Sequence, residues 1–119
     1  MMTGGRRFAE QPEELARFFV ERANAGDAEG LAALYAPAAV LAFPSGQMTI
    51  GRQAIHAVYE QLLATKPQFE PGQQLPTLRN GDLALTATRL TSGDVTAEVA
   101  QRQPDGSWLW IIDRPSSRS

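Results

Sequence analysis

The chain of 119 residues has no cysteine, which excludes disulfides, thiol nucleophiles and thiolate metal sites. Its single histidine, His56, is too little for the usual zinc ligand sets, so no metal and no cofactor is expected. With 11 basic and 13 acidic residues the formal charge is −2. The field by which proteins grip nucleic acid is therefore missing. No apolar run approaches the roughly 20 residues of a membrane span, and none of signal-peptide length follows Arg6 and Arg7; a cytoplasmic protein is expected. Gly46 and Gly51 are too few and too far apart to cradle phosphate, and no serine or aspartate lies in a nucleophile-elbow sequence. Bulky apolar side chains are also scarce. Hydrophobic residues make up 43% of the chain, but 18 residues are alanine, some of them simply helix formers on surfaces. A small-residue interior leaves room for a cavity or for a partner subunit.

What is present reads as one domain over residues 12–115, with flexible ends at 1–11 and 116–119. Pro12, Glu13 and Glu14 form a helix start. Leu15, Phe18 and Phe19 follow at helical spacing, and Asn24-Ala25-Gly26 closes the helix. Asp27 is placed to cap a second helix running to about Tyr35, with Pro37 as its stop. Residues 39–43 and 47–50 read as short strands around a Pro44-Ser45-Gly46 turn. Gly51 opens a third helix to about Ala64, on which Ile55, Val58, Tyr59, Leu62 and Leu63 share a face. Beyond Pro67 the period changes to two. Residues 69–78, broken by Pro71, Gly72 and Pro76, predict a bent or edge strand. Alternation then runs through Leu83-Leu85-Ala87, Val95-Ala97-Val99 and Trp108-Trp110-Ile112, with turns at 91–94 and at Pro104-Asp105-Gly106. Helices first and antiparallel strands after them predict an α+β fold, a curved antiparallel sheet wrapped as a cone around three N-terminal helices.

Phe19-Val20-Glu21, Ala25-Gly26-Asp27, Leu34-Tyr35-Ala36, Pro44-Ser45-Gly46, Ile50-Gly51-Arg52-Gln53-Ala54-Ile55 and Tyr59 occur in an order that resembles the ketosteroid isomerase-like and polyketide cyclase-like proteins. These belong to the nuclear transport factor 2-like superfamily, of cystatin-like fold. The ending Asp105-Gly106-Ser107-Trp108 with Ile112-Asp113-Arg114-Pro115 is similar too. The resemblance covers residues 13–115 and implies a pocket for a small hydrophobic molecule and a homodimer paired through the outer sheet face. It also implies what is missing. The family's general base falls on Phe43 and its oxyanion tyrosine on Phe19, neither of which can exchange a proton, so steroid isomerisation is not expected. The second oxyanion acid falls on Glu98, and two supporting tyrosines fall on Tyr35 and Tyr59.

Glu98 is in phase with Thr96, Ala100 and Arg102. Either it lines the cone, where burial raises its pKa and suits it to proton transfer, or it belongs to a solvated strand face and pairs with an arginine. His56 sits at the border of the buried face of its helix, as an acid–base group or as a half-solvated side chain. Tyr35 and Tyr59 lie in buried stripes and either reach the cavity or fill core. The candidate catalytic set is thus Glu98, Tyr59, Tyr35 and His56, with Phe18, Phe19, Phe43 and Trp110 as candidate substrate-binding rings. The tryptophans fit pocket, core or dimer face equally. Asp113 is expected to be a structural partner of Arg52 or Arg89, because neighbouring strand side chains point to opposite faces. Two functions follow: acid–base chemistry on a small hydrophobic compound, of the isomerase, cyclase or hydrolase kind, or a non-catalytic ligand-binding or dimeric association domain.

Overall fold

Proline, glycine and capping residues place most element boundaries in the computed structural model, which describes residues 6–44 and 46–115. Helix α1 runs Glu14–Asn24 and buries Leu15, Phe18 and Ala23. It stops where Gly26 turns left-handed, at φ 71°. The Asp27 side chain then accepts a hydrogen bond from Gly30 N at 3.0 Å, capping α2, Ala28–Ala32. Helix α2 is shorter than its sequence predicts. Leu34 O accepts from Trp110 N at 2.9 Å, and this distant pairing draws Tyr35 out of the helix and into β1, Tyr35–Leu41. Strand β2 is Thr49–Ile50; between the two, Phe43–Pro44 is a cis peptide and Ser45 lies outside the described residues. Gly51, at φ 95°, precedes α3, Arg52–Leu63, whose buried residues are Ile55, Tyr59 and Leu63. Full burial of a side chain such as Leu15 or Ile55, both at 0% exposure, contributes about 2 kcal/mol.

The bent segment resolves into β3, Gln73–Gln74, and β4, Leu78–Asn80. There follow β5, Leu83–Thr86, β6, Thr88–Arg89, β7, Ala97–Arg102, and β8, Trp108–Arg114. Six strands form one sheet in the order β2-β1-β8-β7-β5-β4, and β3 pairs with β6. All pairings are antiparallel except β1 with β8, which run parallel. Curved sheet and N-terminal helices together make the expected α+β architecture.

Residues 1–5 and 116–119 of the expected flexible ends lie outside the described residues. Among residues 6–12, Arg6 bonds both Asp27 carboxylate oxygens at 2.8 Å, Ala9 O accepts from Trp108 N at 2.9 Å, and Pro12 is fully buried.

One irregularity decides the chemistry of the inner face. In the β7–β8 ladder Ala100 faces Trp110 and Val99 faces Ile112, leaving Ile111 as an extra residue. This bulge reverses the side-chain phase beyond it. Trp108 and Trp110 are buried, as one face of an alternating strand. Ile112 is then 53% exposed and Asp113 only 4%. The expected run Trp108-Trp110-Ile112 is therefore broken, and the expected partnership of Asp113 with Arg52 or Arg89 does not form. Arg52 instead donates to Tyr35 O from Nε and Nη2, at 3.0 and 2.7 Å.

Candidate functional site

Between α1, α3 and the inner face of the sheet lies a cavity of about 600 Å³, within the range of small-molecule pockets. Its walls are largely aromatic: Phe19 from α1, Tyr59 from α3, Trp110 from β8, Phe43 after β1 and Phe69 from the loop before β3. Phe19 meets Tyr59 and Phe69 edge-on at 5.8 and 5.7 Å, and Phe43 stacks on Tyr59 at 6.4 Å. Such contacts fix ring positions beyond what burial alone supplies. The loop carrying Phe69 is pinned to the end of α1 by a reciprocal pair. Asn24 Nδ2 donates to Phe69 O at 2.9 Å, and Phe69 N donates to Asn24 Oδ1 at 2.7 Å.

Across the sheet, one inner row reads Thr86, Glu98, Asp113, as register partners on β5, β7 and β8. Both acids are buried, Glu98 at 6% exposure and Asp113 at 4%, and both line the cavity. Thr86 Oγ1 donates to Glu98 Oε1 at 2.7 Å. Asp113 Oδ2 is hydrogen-bonded to the Tyr35 hydroxyl, which bonds the Tyr59 hydroxyl at 2.8 Å. No arginine pairs with Glu98 among the described residues.

Burial pushes Glu98 above the usual carboxylate range, an effect softened by the Thr96 and Thr86 hydroxyls. Burial and the neighbouring Glu98 charge push Asp113 up to about 8, against the opposing hydrogen bond from Tyr35. Burial and the Asp113 charge also hold Tyr35 and Tyr59 well above the ordinary phenol range, so both stay neutral. Adjacent buried carboxyls do not both ionise readily, so Asp113 keeps its proton near neutral pH. The chain of hydroxyls answers to that proton. With Asp113 ionised, Tyr35 donates to it and Tyr59 donates to Tyr35. With Asp113 protonated the order can reverse, which frees the Tyr59 O–H for a molecule in the cavity.

Of the residues singled out from sequence, Glu98, Tyr59, Phe19, Phe43 and Trp110 line the cavity, and Tyr35 joins them one bond behind the wall. His56 and Phe18 do not line it. His56 is half-exposed, with Nε2 3.8 Å from Glu60 Oε2. Phe18 is buried in the core, its ring centroid 5.2–5.3 Å from the guanidinium carbons of Arg7, Arg17 and Arg22. The tryptophans face inward, not toward an outer interface. Sequence reasoning assigned Asp113 a structural role and passed over Phe69. Nothing local announces the bulge that turns Asp113 inward; Phe69 could have been found as a lone ring between Pro67 and Pro71. No group of three or more residues able to hold a metal occurs among the described residues, and none of their helices is long and apolar enough to cross a membrane.

A curved sheet closed by helices over a cavity is the nuclear transport factor 2-like, cystatin-like fold. The chain belongs to the SnoaL-like domain family, whose model matches residues 15–113. No curated protein matches it. Among solved structures, a Nostoc punctiforme domain of unknown function with a cystatin-like fold is 21% identical, with TM-score 0.74 over 88% of this chain and 73% of that one. A candidate calcium/calmodulin-dependent protein kinase type II association domain from Thiobacillus denitrificans is 16% identical, with TM-score 0.75 over 92% and 96%. A ketosteroid isomerase-like protein from Erwinia carotovora atroseptica is 17% identical, with TM-score 0.67 over 86% and 89%. At these identities the likeness is one of fold.

Proposed function

We propose that residues 12–115 form a single pocket domain that performs acid–base chemistry on a small hydrophobic compound. Glu98 and Asp113 would be its proton acceptor and donor. The observation that carries this reading is the pair of buried carboxyls side by side on the wall of an aromatic cavity. One ionised carboxyl takes a proton from the compound while its protonated neighbour returns one elsewhere, leaving the proton count of the pair unchanged. Tyr35 and Tyr59 are positioning residues that orient Asp113, and Tyr59 also reaches the compound. Phe19, Phe43 and Trp110 hold its apolar body. With rings at the family's base and oxyanion positions, the base role passes to the carboxyl pair and steroid isomerisation is not the reaction. His56 and Phe18 have no part in it.

The test is a thermal-shift screen of polyketide-like aromatics, small cyclic ketones and steroids against the native chain, Glu98→Gln and Asp113→Asn. A ligand at a hundred times its Kd adds about 2.7 kcal/mol. Hits incubated in deuterated water should lose an acidic C–H proton signal with native protein and keep it with either variant. Exchange that survives both substitutions would remove the pair from the chemistry.

A second reading, dimeric association through the sheet, has its own support. Leu78, Leu83, Leu85 and Ile112 are exposed, and Leu78, Leu85, Val99 and Ile112 form one outer row by register. Light scattering at micromolar concentration tests it, and a monomeric mass would end it.

A further inference from the structure

The charge of the cavity is one-sided. Its wall and rim hold Glu13, Glu21, Glu70, Glu98 and Asp113 against one basic residue, Arg17. That guanidinium is turned to Glu14, 3.2 Å away, and is 54% exposed. At the floor, Asp113 Oδ2 accepts the Tyr35 hydroxyl, and no hydrogen bond reaches its Oδ1 among the described residues. The rings of Phe19, Phe43, Tyr59 and Trp110 stand around this floor.

We propose that the cavity takes an organic ammonium ion, a hydrophobic amine whose cationic end sits against the Glu98–Asp113 pair inside these rings. This rests on the pocket reading above and gives it a substrate class. A cation leaves water only where a counter-charge and polarisable faces replace its hydration. A carboxyl pair holding one proton carries one negative charge, the complement of one ammonium. Ring faces attract the same cation, most strongly when desolvated. A carboxylate or phosphate ligand would instead add a charge of the same sign to a buried acid pair.

The experiment titrates the full chain with phenylpropyl-trimethylammonium and with its neutral isostere, in which carbon replaces the nitrogen, reading tryptophan fluorescence. Near pH 9 the cation should bind at least about tenfold more tightly than the isostere, a difference of about 1.4 kcal/mol. Binding a permanent cation favours the ionised floor, so the preference should shrink as pH falls through the Asp113 range toward about 6. The groups facing Asp113 are Glu98 on β7, Tyr35 on β1 and Tyr59 on α3. The tyrosines are neutral throughout this range, so the titration belongs to the carboxyl pair. Asp113→Asn, which leaves Glu98 as the one carboxyl able to ionise, should keep a preference for the cation but remove its change between about pH 6 and 9. Phe43→Leu, which keeps the acids, should weaken the cation more than the isostere. Equal or tighter binding of the isostere near pH 9, or a preference indifferent to pH, overturns the inference and leaves the pocket standing. Binding of neither probe overturns both.

Discussion

The two faces of the same strands have exchanged their usual contents. Inside, β5, β7 and β8 present Thr86, Glu98 and Asp113 in one row and Ala84, Ala100 and Trp110 in the next. Outside, Leu78, Leu83, Leu85 and Ile112 are 41–65% exposed. Ordinary half-buried strands place their apolar residues inward and polar ones outward. Buried acids are tolerable only where they are hydrogen-bonded or neutral, and small neighbours such as Ala84 and Ala100 leave the space beside them unfilled. The inner face is thus built as the floor of a cavity, at a cost in stability. The outer leucines leave apolar side chains in solvent, the feature on which the proposed sheet-face association rests.

The largest effect should come from the inner face. Trp108→Ala removes a ring that is 1% exposed and should cost about 3–5 kcal/mol in urea unfolding. An equal loss from Leu85→Ala, outside, would erase the distinction between the faces.

Asp113→Asn should do the opposite of a core deletion. Asp113 has an ordinary value of 3.8 and titrates at about 8 in the folded chain, so the folded state holds the proton more tightly than the unfolded one. The stability it lends is fully present below about pH 4 and is lost as pH rises toward 8, by at most about 1.4 kcal/mol per pH unit. Asparagine keeps an acceptor for Tyr35 and has no such proton to lose. The variant should therefore melt several degrees above the native chain near pH 9, and the gap should close near pH 4. A native melting temperature that is flat from about pH 5 to 9 would show that Asp113 is not sealed in. Glu98→Gln should shift the alkaline limb in the same direction but less.

Outside, Leu83→Lys with Leu85→Lys should change monomer stability by only about 0.5 kcal/mol. If the sheet face pairs, the scattering mass should halve; an unchanged mass would assign the patch to something other than a second copy. The smallest effect belongs to His56→Ala, on the exposed side of α3. It should leave melting temperature and ligand shifts unchanged, and a lost ligand shift would return His56 to the site.

Local signals account for much of what was legible. The cap at Asp27, the start of α3 after Gly51 and the Asp105-Gly106 turn each depend on residues a few positions apart. Phe19, Phe43, Tyr59 and Glu98 reached the candidate set through the family resemblance, which for Glu98 offset a periodicity that also fits a solvated strand face. Trp110 entered as a ring fitting pocket, core or dimer face. Tyr35 was expected at the end of a helix, since its apolar spacing continues that of Leu31. It is the parallel pairing of β1 with β8 that makes it the first residue of a strand.

The sequence by itself determined three helices, the alternation of the strands and the lack of any thiol, because helix period, turn residues and composition are local or global counts. It did not determine which face of β8 holds its acid. A single extra residue, Ile111, reverses the parity of the strand, and a bulge forms through pairing with a strand elsewhere in the chain. Only the folded sheet could set Asp113 beside Glu98, because the burial that raises a carboxyl's pKa comes from neighbours distant in sequence.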